Sequence, residues 1–108
     1  MSQPLFKKVA FIGLGLIGSS LARVIVAEQL ASQIVAATRS KKTLDDAKAL
    51  GLIQQGYASP EEAVQGADLI VLALPVRATQ KVLEQIKPYL AENVIITDVG
   101  STKGNVVD

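Results

Sequence analysis

The stretch Val9-Ala10-Phe11-Ile12-Gly13-Leu14-Gly15-Leu16-Ile17-Gly18 decides how this chain folds. An apolar, β-type run passes directly into three glycines spaced G-x-G-x-x-G and then into a helix-like sequence. Each glycine has a physical reason. Gly13 permits a tight strand-to-helix turn, Gly15 lets the backbone approach an anion, and Gly18 lets the helix pack closely on the strand. The start of a helix carries unpaired N–H groups and the positive end of the macrodipole. The pattern therefore predicts a seat for a dinucleotide pyrophosphate, with the N–H groups of Leu16 and Ile17 turned toward it. A glycine turn that binds nothing is the alternative, and the strand before it and the apolar helix after it weigh against that. Ser19 and Ser20 read as small packing residues.

Outward from this turn the pattern alternates. Lys8–Gly13 reads as a buried strand and Gly15–Leu30 as a heavily buried helix with Ile17, Leu21, Val24 and Ile25 as its stripe. Gln33–Thr38 follows as a strand, then Lys41–Leu50 as a helix that Gly51 ends. Ile53–Ala58 is a short third strand. Ser59-Pro60-Glu61-Glu62 is a helix start in which Ser59 caps and Glu62 completes a capping box. That helix reaches Gly66. Asp68–Leu74 is a strand stopped at Pro75, Val76–Tyr89 a helix, and Asn93–Val99 a last strand. Strands alternating with helices at this spacing predict right-handed βαβ units and one α/β domain, residues 1–108, around a parallel sheet.

The end of the second strand selects the nucleotide. A site for NAD places an acid about 20 residues past the glycines, on the ribose 2′-hydroxyl. Thr38-Arg39-Ser40-Lys41-Lys42 holds no acid there. A hydroxyl and cations suit a 2′-phosphate, so Thr38, Arg39, Ser40 and Lys41 favour NADP over NAD. The competing reading is a solvated turn that caps the second helix. Leu74 and Pro75 end a strand beside the crevice where strand order reverses, and would wall the nicotinamide side. A simple strand-ending proline explains them equally well. Asp98-Val99-Gly100-Ser101-Thr102-Lys103-Gly104 lies at the same edge, with a carboxylate, two hydroxyls and an ammonium close together.

Composition removes other classes. The 108 residues are 49% hydrophobic and 19% charged, as a folded domain is, and the net charge of +1 gives no field for nucleic acid. Aromatics at 4% are too few for base-stacking platforms. Cysteine and histidine are both absent, which removes disulfides, thiolates, the commonest metal ligand and the commonest general base. No metal site is expected. Met1–Lys8 reads as no signal peptide, no run is long enough to span a membrane, and a cytoplasmic location is expected.

Two segments together carry a resemblance. Gly13–Ala22, G-L-G-L-I-G-S-S-L-A, and Asp98–Gly104, D-V-G-S-T-K-G, look like the prephenate and arogenate (cyclohexadienyl) dehydrogenases of tyrosine biosynthesis. Ala67–Val76, A-D-L-I-V-L-A-L-P-V, fits as well. The resemblance implies a Rossmann-type, doubly wound parallel sheet, truncated before its last strand or strands and before a helical C-terminal domain. It implies oxidative decarboxylation of prephenate or arogenate: hydride passes from ring C4 to nicotinamide, CO2 leaves and the ring becomes aromatic. Ser101 then matches the serine that orients the ring hydroxyl, and Lys103 anchors the site electrostatically. The family's basic histidine has no counterpart in this sequence. The resemblance places that base in a longer enzyme, homodimeric through its C-terminal domain, with these 108 residues inactive alone. Two rivals share the glycine turn: a β-hydroxyacid or imine-type dehydrogenase domain, and a nucleotide-sensing regulatory module without chemistry.

Overall fold

In the computed structural model, residues 5–38, 40–74, 76–90 and 92–98 are described. Five strands run β1 (Phe6–Ile12), β2 (Ala31–Ala37), β3 (Gln55–Tyr57), β4 (Leu69–Leu72) and β5 (Ile95–Asp98). Helices α1 (Gly15–Ala27), α2 (Lys41–Ala49), α3 (Pro60–Val64) and α4 (Val76–Ile86) lie between them. The strands are all parallel, in the order β3-β2-β1-β4-β5. Chain order therefore reverses between β1 and β4, as the alternation of elements predicts for a doubly wound sheet.

Two cores make this a three-layer domain. On one face, Val9 and Phe11 of β1 and Ile34 and Ala36 of β2 pack with Ala22 and Ile25 of α1 and Ala47 of α2. On the other, Ala10, Ile12, Val35, Ala37, Ile70 and Leu72 pack with Ala63 and Val64 of α3 and Ile86 of α4. Neighbouring residues of a strand thus serve opposite layers, which is why β1, β2 and β4 are apolar without alternation. In both β1 and β2 the last four residues are buried and the first three are not. The well-packed ends are the carboxyl ends, and they carry the site.

Several boundaries differ from the sequence reading, each for a local reason. Helix α1 stops at Ala27, short of Leu30, because Gln29 takes the left-handed φ of 53°. Gln29 N–H then donates to the Val26 carbonyl and Leu30 N–H to that of Ile25, a Schellman ending made without glycine. That helix is also less buried than expected. It packs through Ala22 and Ile25, while Val24 and Val26 remain 51% and 41% exposed on its outer side. Gly51 does end α2, at φ +77°, with its N–H on the Lys48 carbonyl. Helix α4 gives way at Lys87 to a single 3-10 turn ending at Tyr89, since Pro88 has no N–H to continue an α-helix. Strand β4 ends at Leu72, two residues before the expected Leu74, after which the Ala73 N–H makes one more bond to the Ile12 carbonyl. Strand β5 pairs only with β4 among the described residues, leaving Ile95 and Ile96 55% and 38% exposed.

Candidate cofactor site at the carboxyl edge of the sheet

Gly13 is the pivot of the site. Its φ of +79° is one that side chains rarely adopt, and a Cβ built there would lie 2.7 Å from the Ala73 carbonyl oxygen and 2.7 Å from Leu74 Cδ2. Its N–H donates to the Ala37 carbonyl at 2.7 Å. The turn out of β1 is therefore clamped between the ends of β2 and β4. Only a residue without a side chain fits there unstrained.

Helix α1 starts directly after this turn, with Gly15, Leu16, Ile17 and Gly18 as its first residues. Leu14 holds the cap position and no side chain caps it, and no acid lies in the first turn. The first N–H groups of any α-helix have no partner inside it. Helix α2 differs: Ser40 caps it, its Oγ accepting from the Thr43 N–H at 3.2 Å. Helix α3 is capped by Ser59 in the same way. The positive end of α1 thus begins just past the Gly13 turn, with no acid in its first helical turn.

Beside the turn lies a cavity of about 550 Å³. Ile12, Gly13, Ala37 and Thr38 form its sheet side, and Leu74, Ala78, Val82 and Gln85 its α4 side. Ala58, Ser59, Pro60 and Glu61 close it from the end of β3. This volume lies within the range of small-molecule sites, roughly 300–1,000 Å³. Leu74 is fixed by Thr79, buried on α4, whose hydroxyl donates to the Leu74 carbonyl at 3.3 Å.

The structure thus brings Gly13, Thr38 and Leu74 to one cavity, with Gly15, Leu16, Ile17 and Gly18 in the adjoining helical turn. Thr38 Oγ1 accepts from the Ser40 N–H at 3.4 Å, which shapes the turn into α2. Ser40 does cap the second helix, as the competing reading held, its Oγ accepting there while a serine hydroxyl can also donate. Lys41 is exposed at the first position of α2. Arg39, Pro75, Ser101 and Lys103 lie outside the described residues. Asp98 stands level with Leu72 in the β4–β5 register, at the same carboxyl edge of the sheet.

Sequence reasoning missed Glu61 and Gln85. It assigned the capping acid to Glu62, but the carboxylate that engages Ser59 is that of Glu61: Ser59 Oγ donates to Glu61 Oε1 at 2.9 Å. Gln85 Nε2 donates to Glu61 Oε2 at 3.1 Å. The Glu61 backbone amide, then the Ser59 hydroxyl, hold this carboxyl below its ordinary value; burial opposes them, and Gln85 adds a weaker lowering. The signal was topological. The loop after β3 must open at the same edge as those after β1, β2 and β4. Among the described residues no cluster of acids or histidines could hold a metal ion, and no helix is long and apolar enough to cross a membrane.

A family model described as "Prephenate dehydrogenase, nucleotide-binding domain" matches residues 21–108. The chain belongs to that family. The match begins beyond the glycine turn, so the turn's geometry and the family assignment are separate observations. The cyclohexadienyl dehydrogenase of Zymomonas mobilis is 41% identical over 102 residues, which is 94% of this chain and 35% of that protein. Prephenate dehydrogenase from A. aeolicus, solved with hydroxyphenyl propionate and NAD+, superposes with a TM-score of 0.80 at 26% identity, over 96% of this chain and 36% of that one. Synechocystis arogenate dehydrogenase gives 0.76 at 29%, over 94% and 35%. The chain spans about a third of the length of these relatives.

Proposed function

We propose that this domain binds NAD(P), with NADP preferred, as the cofactor-binding part of a longer enzyme that oxidatively decarboxylates prephenate or arogenate. The observation that carries the reading is the uncapped start of α1 beside the Gly13 turn, opening on the same crevice as Thr38 and Leu74 in a chain of this family. A pyrophosphate on the N–H groups of Gly15, Leu16 and Ile17 puts the adenosine ribose at Thr38, the end of the second strand. The nicotinamide then extends past Leu74 and Pro75, toward the segment that follows Asp98.

The preference for NADP rests on the chemistry of residues 38–42. With no acid among them, nothing there repels a 2′-phosphate, and Arg39, Ser40 and Lys41 supply donors for it. The cavity beside Thr38 has room for the adenosine moiety. When bound, the nicotinamide takes up the hydride released from the substrate ring. Ser101 orients the ring hydroxyl and Lys103 offsets the substrate's negative charge; both roles rest on the family motif at Asp98–Gly104. The substrate is a small dicarboxylate or amino acid, and the expected setting is the cytoplasm, with a homodimer formed outside this domain.

Ser101→Ala in the full-length protein tests the assignment. Turnover of prephenate or arogenate should fall about 100-fold, the scale of a lost proton-handling or orienting group. NADPH affinity should stay within about twofold. Unchanged turnover would remove Ser101 from the reaction.

A further inference from the structure

We infer that Glu61 and Gln85 form a recognition edge for the adenine base, so that the cavity selects a 6-aminopurine over a 6-oxopurine dinucleotide. The inference rests on the nucleotide reading above, which places the adenosine ribose at Thr38 and its base in the adjoining cavity. It goes further in naming what the cavity reads.

The two side chains come from different helices and meet on the cavity wall, Gln85 Nε2 donating to Glu61 Oε2 at 3.1 Å. Ser59 Oγ fixes the other carboxylate oxygen at 2.9 Å. Held ionised, Glu61 can only accept, and its two oxygens have more lone-pair positions than these two donors fill. The Gln85 amide has a second N–H beyond the one given to Glu61. The wall thus presents an acceptor beside a donor, tied to each other, with the acceptor also tied to Ser59. Ile12, Leu74, Ala78 and Val82 add apolar surface for the faces of a flat ring.

Adenine offers the complement. Its exocyclic N6 amino group donates, and the ring nitrogens N1 and N7 flanking it accept. In hypoxanthine that amino group is replaced by a carbonyl oxygen, which would point its lone pairs at the Glu61 carboxylate, and N1 gains a hydrogen and becomes a donor. A base held in the same pose loses the match at both positions, and only a shift that brings N1–H to Glu61 and O6 to Gln85 would restore it. The ribose, tethered at Thr38 and the glycine turn, limits how far the base can rotate to escape this. A tie that merely joins α3 to α4 would make no such distinction between the two bases.

The experiment compares NADPH with its reduced hypoxanthine analogue, measured by cofactor fluorescence on the purified protein and on Glu61→Ala and Gln85→Ala. The wild type should bind the adenine form about tenfold more tightly, the factor that corresponds to about 1.4 kcal/mol. In Glu61→Ala the ratio should fall to within about twofold, chiefly through weaker binding of the adenine form. Equal affinities in the wild type, or a ratio unchanged in Glu61→Ala, would overturn the recognition edge while leaving the nucleotide site intact. Equal weakening of both ligands in the variants would also overturn it, because that is the signature of a structural tie. Failure to bind either dinucleotide would instead overturn the nucleotide reading itself.

Discussion

Replacing Gly13 by alanine separates the two reasons for having glycine in the turn. Gly13, Gly51 and Gly66 share almost the same backbone angle, with φ of +79°, +77° and +76°. Their surroundings differ. A Cβ at Gly51 or Gly66 meets nothing within 4 Å, whereas at Gly13 it meets the Ala73 carbonyl oxygen and Leu74 Cδ2, both at 2.7 Å. Left-handed backbone costs an L-residue about 1–2 kcal/mol, and alanine recovers about 0.4–1 of that by restricting the unfolded chain. Gly51→Ala should therefore destabilise by about 1 kcal/mol. At Gly13 the leucine methyl can turn away, but the carbonyl belongs to a backbone segment tied by the Ala73 N–H to the Ile12 carbonyl at 2.9 Å. Overpacking against such a neighbour adds about 1–3 kcal/mol, so Gly13→Ala should cost about 2–4 in total. That is a large share of the 5–15 kcal/mol expected of a native domain. Urea unfolding of the two variants, with matched m-values, reads the difference directly. A Gly13→Ala protein within about 0.5 kcal/mol of Gly51→Ala would refute the close contact of the β1 turn with the segment that follows β4.

Other substitutions probe separate links. Thr38→Asp should place a carboxylate at the ribose and shift the ratio of NADPH to NADH affinity toward NADH by about tenfold or more, measured by fluorescence titration. Gln29→Gly should stabilise the domain by about 0.5–1 kcal/mol in urea unfolding, because the left-handed residue just past the end of α1 no longer carries a side chain. Ser59→Ala should cost about 1 kcal/mol through the lost cap of α3. Glu61 has its carboxyl held below the usual value of 4.5 in the folded state. Its stabilising contribution is therefore present above that value and lost as pH falls through the lower folded one. Stability measured from pH 6 down to pH 3 should fall less steeply for Glu61→Gln than for the wild type, and parallel curves would count against the bond to Ser59.

The sheet and the glycine turn were legible because their causes are local. Apolar runs, a glycine at three of the four left-handed positions among the described residues, and a serine before each of α2 and α3 all stand in the sequence. The end of α1 was not legible, since Gln29 takes a conformation that sequence assigns to glycine or asparagine, and long-range packing of Leu30 and Ile25 fixes it. Exposure of Val24 and Val26 was hidden for a related reason: an apolar residue on a helix does not say whether anything covers it. At the site, Gly13, Thr38 and Leu74 could be named because each follows a strand. Glu61 and Gln85 are 24 positions apart and meet only because α3 and α4 cover the same face, so no spacing rule reveals them.

Calorimetric titration of the purified protein with NADPH, NADH and ATP tests the central claim most directly. Both dinucleotides should bind, NADPH more tightly than NADH, and ATP should bind more weakly than either. Tighter binding of NADH would contradict the reading of Thr38–Lys41, and a preference for ATP would contradict the dehydrogenase assignment as a whole.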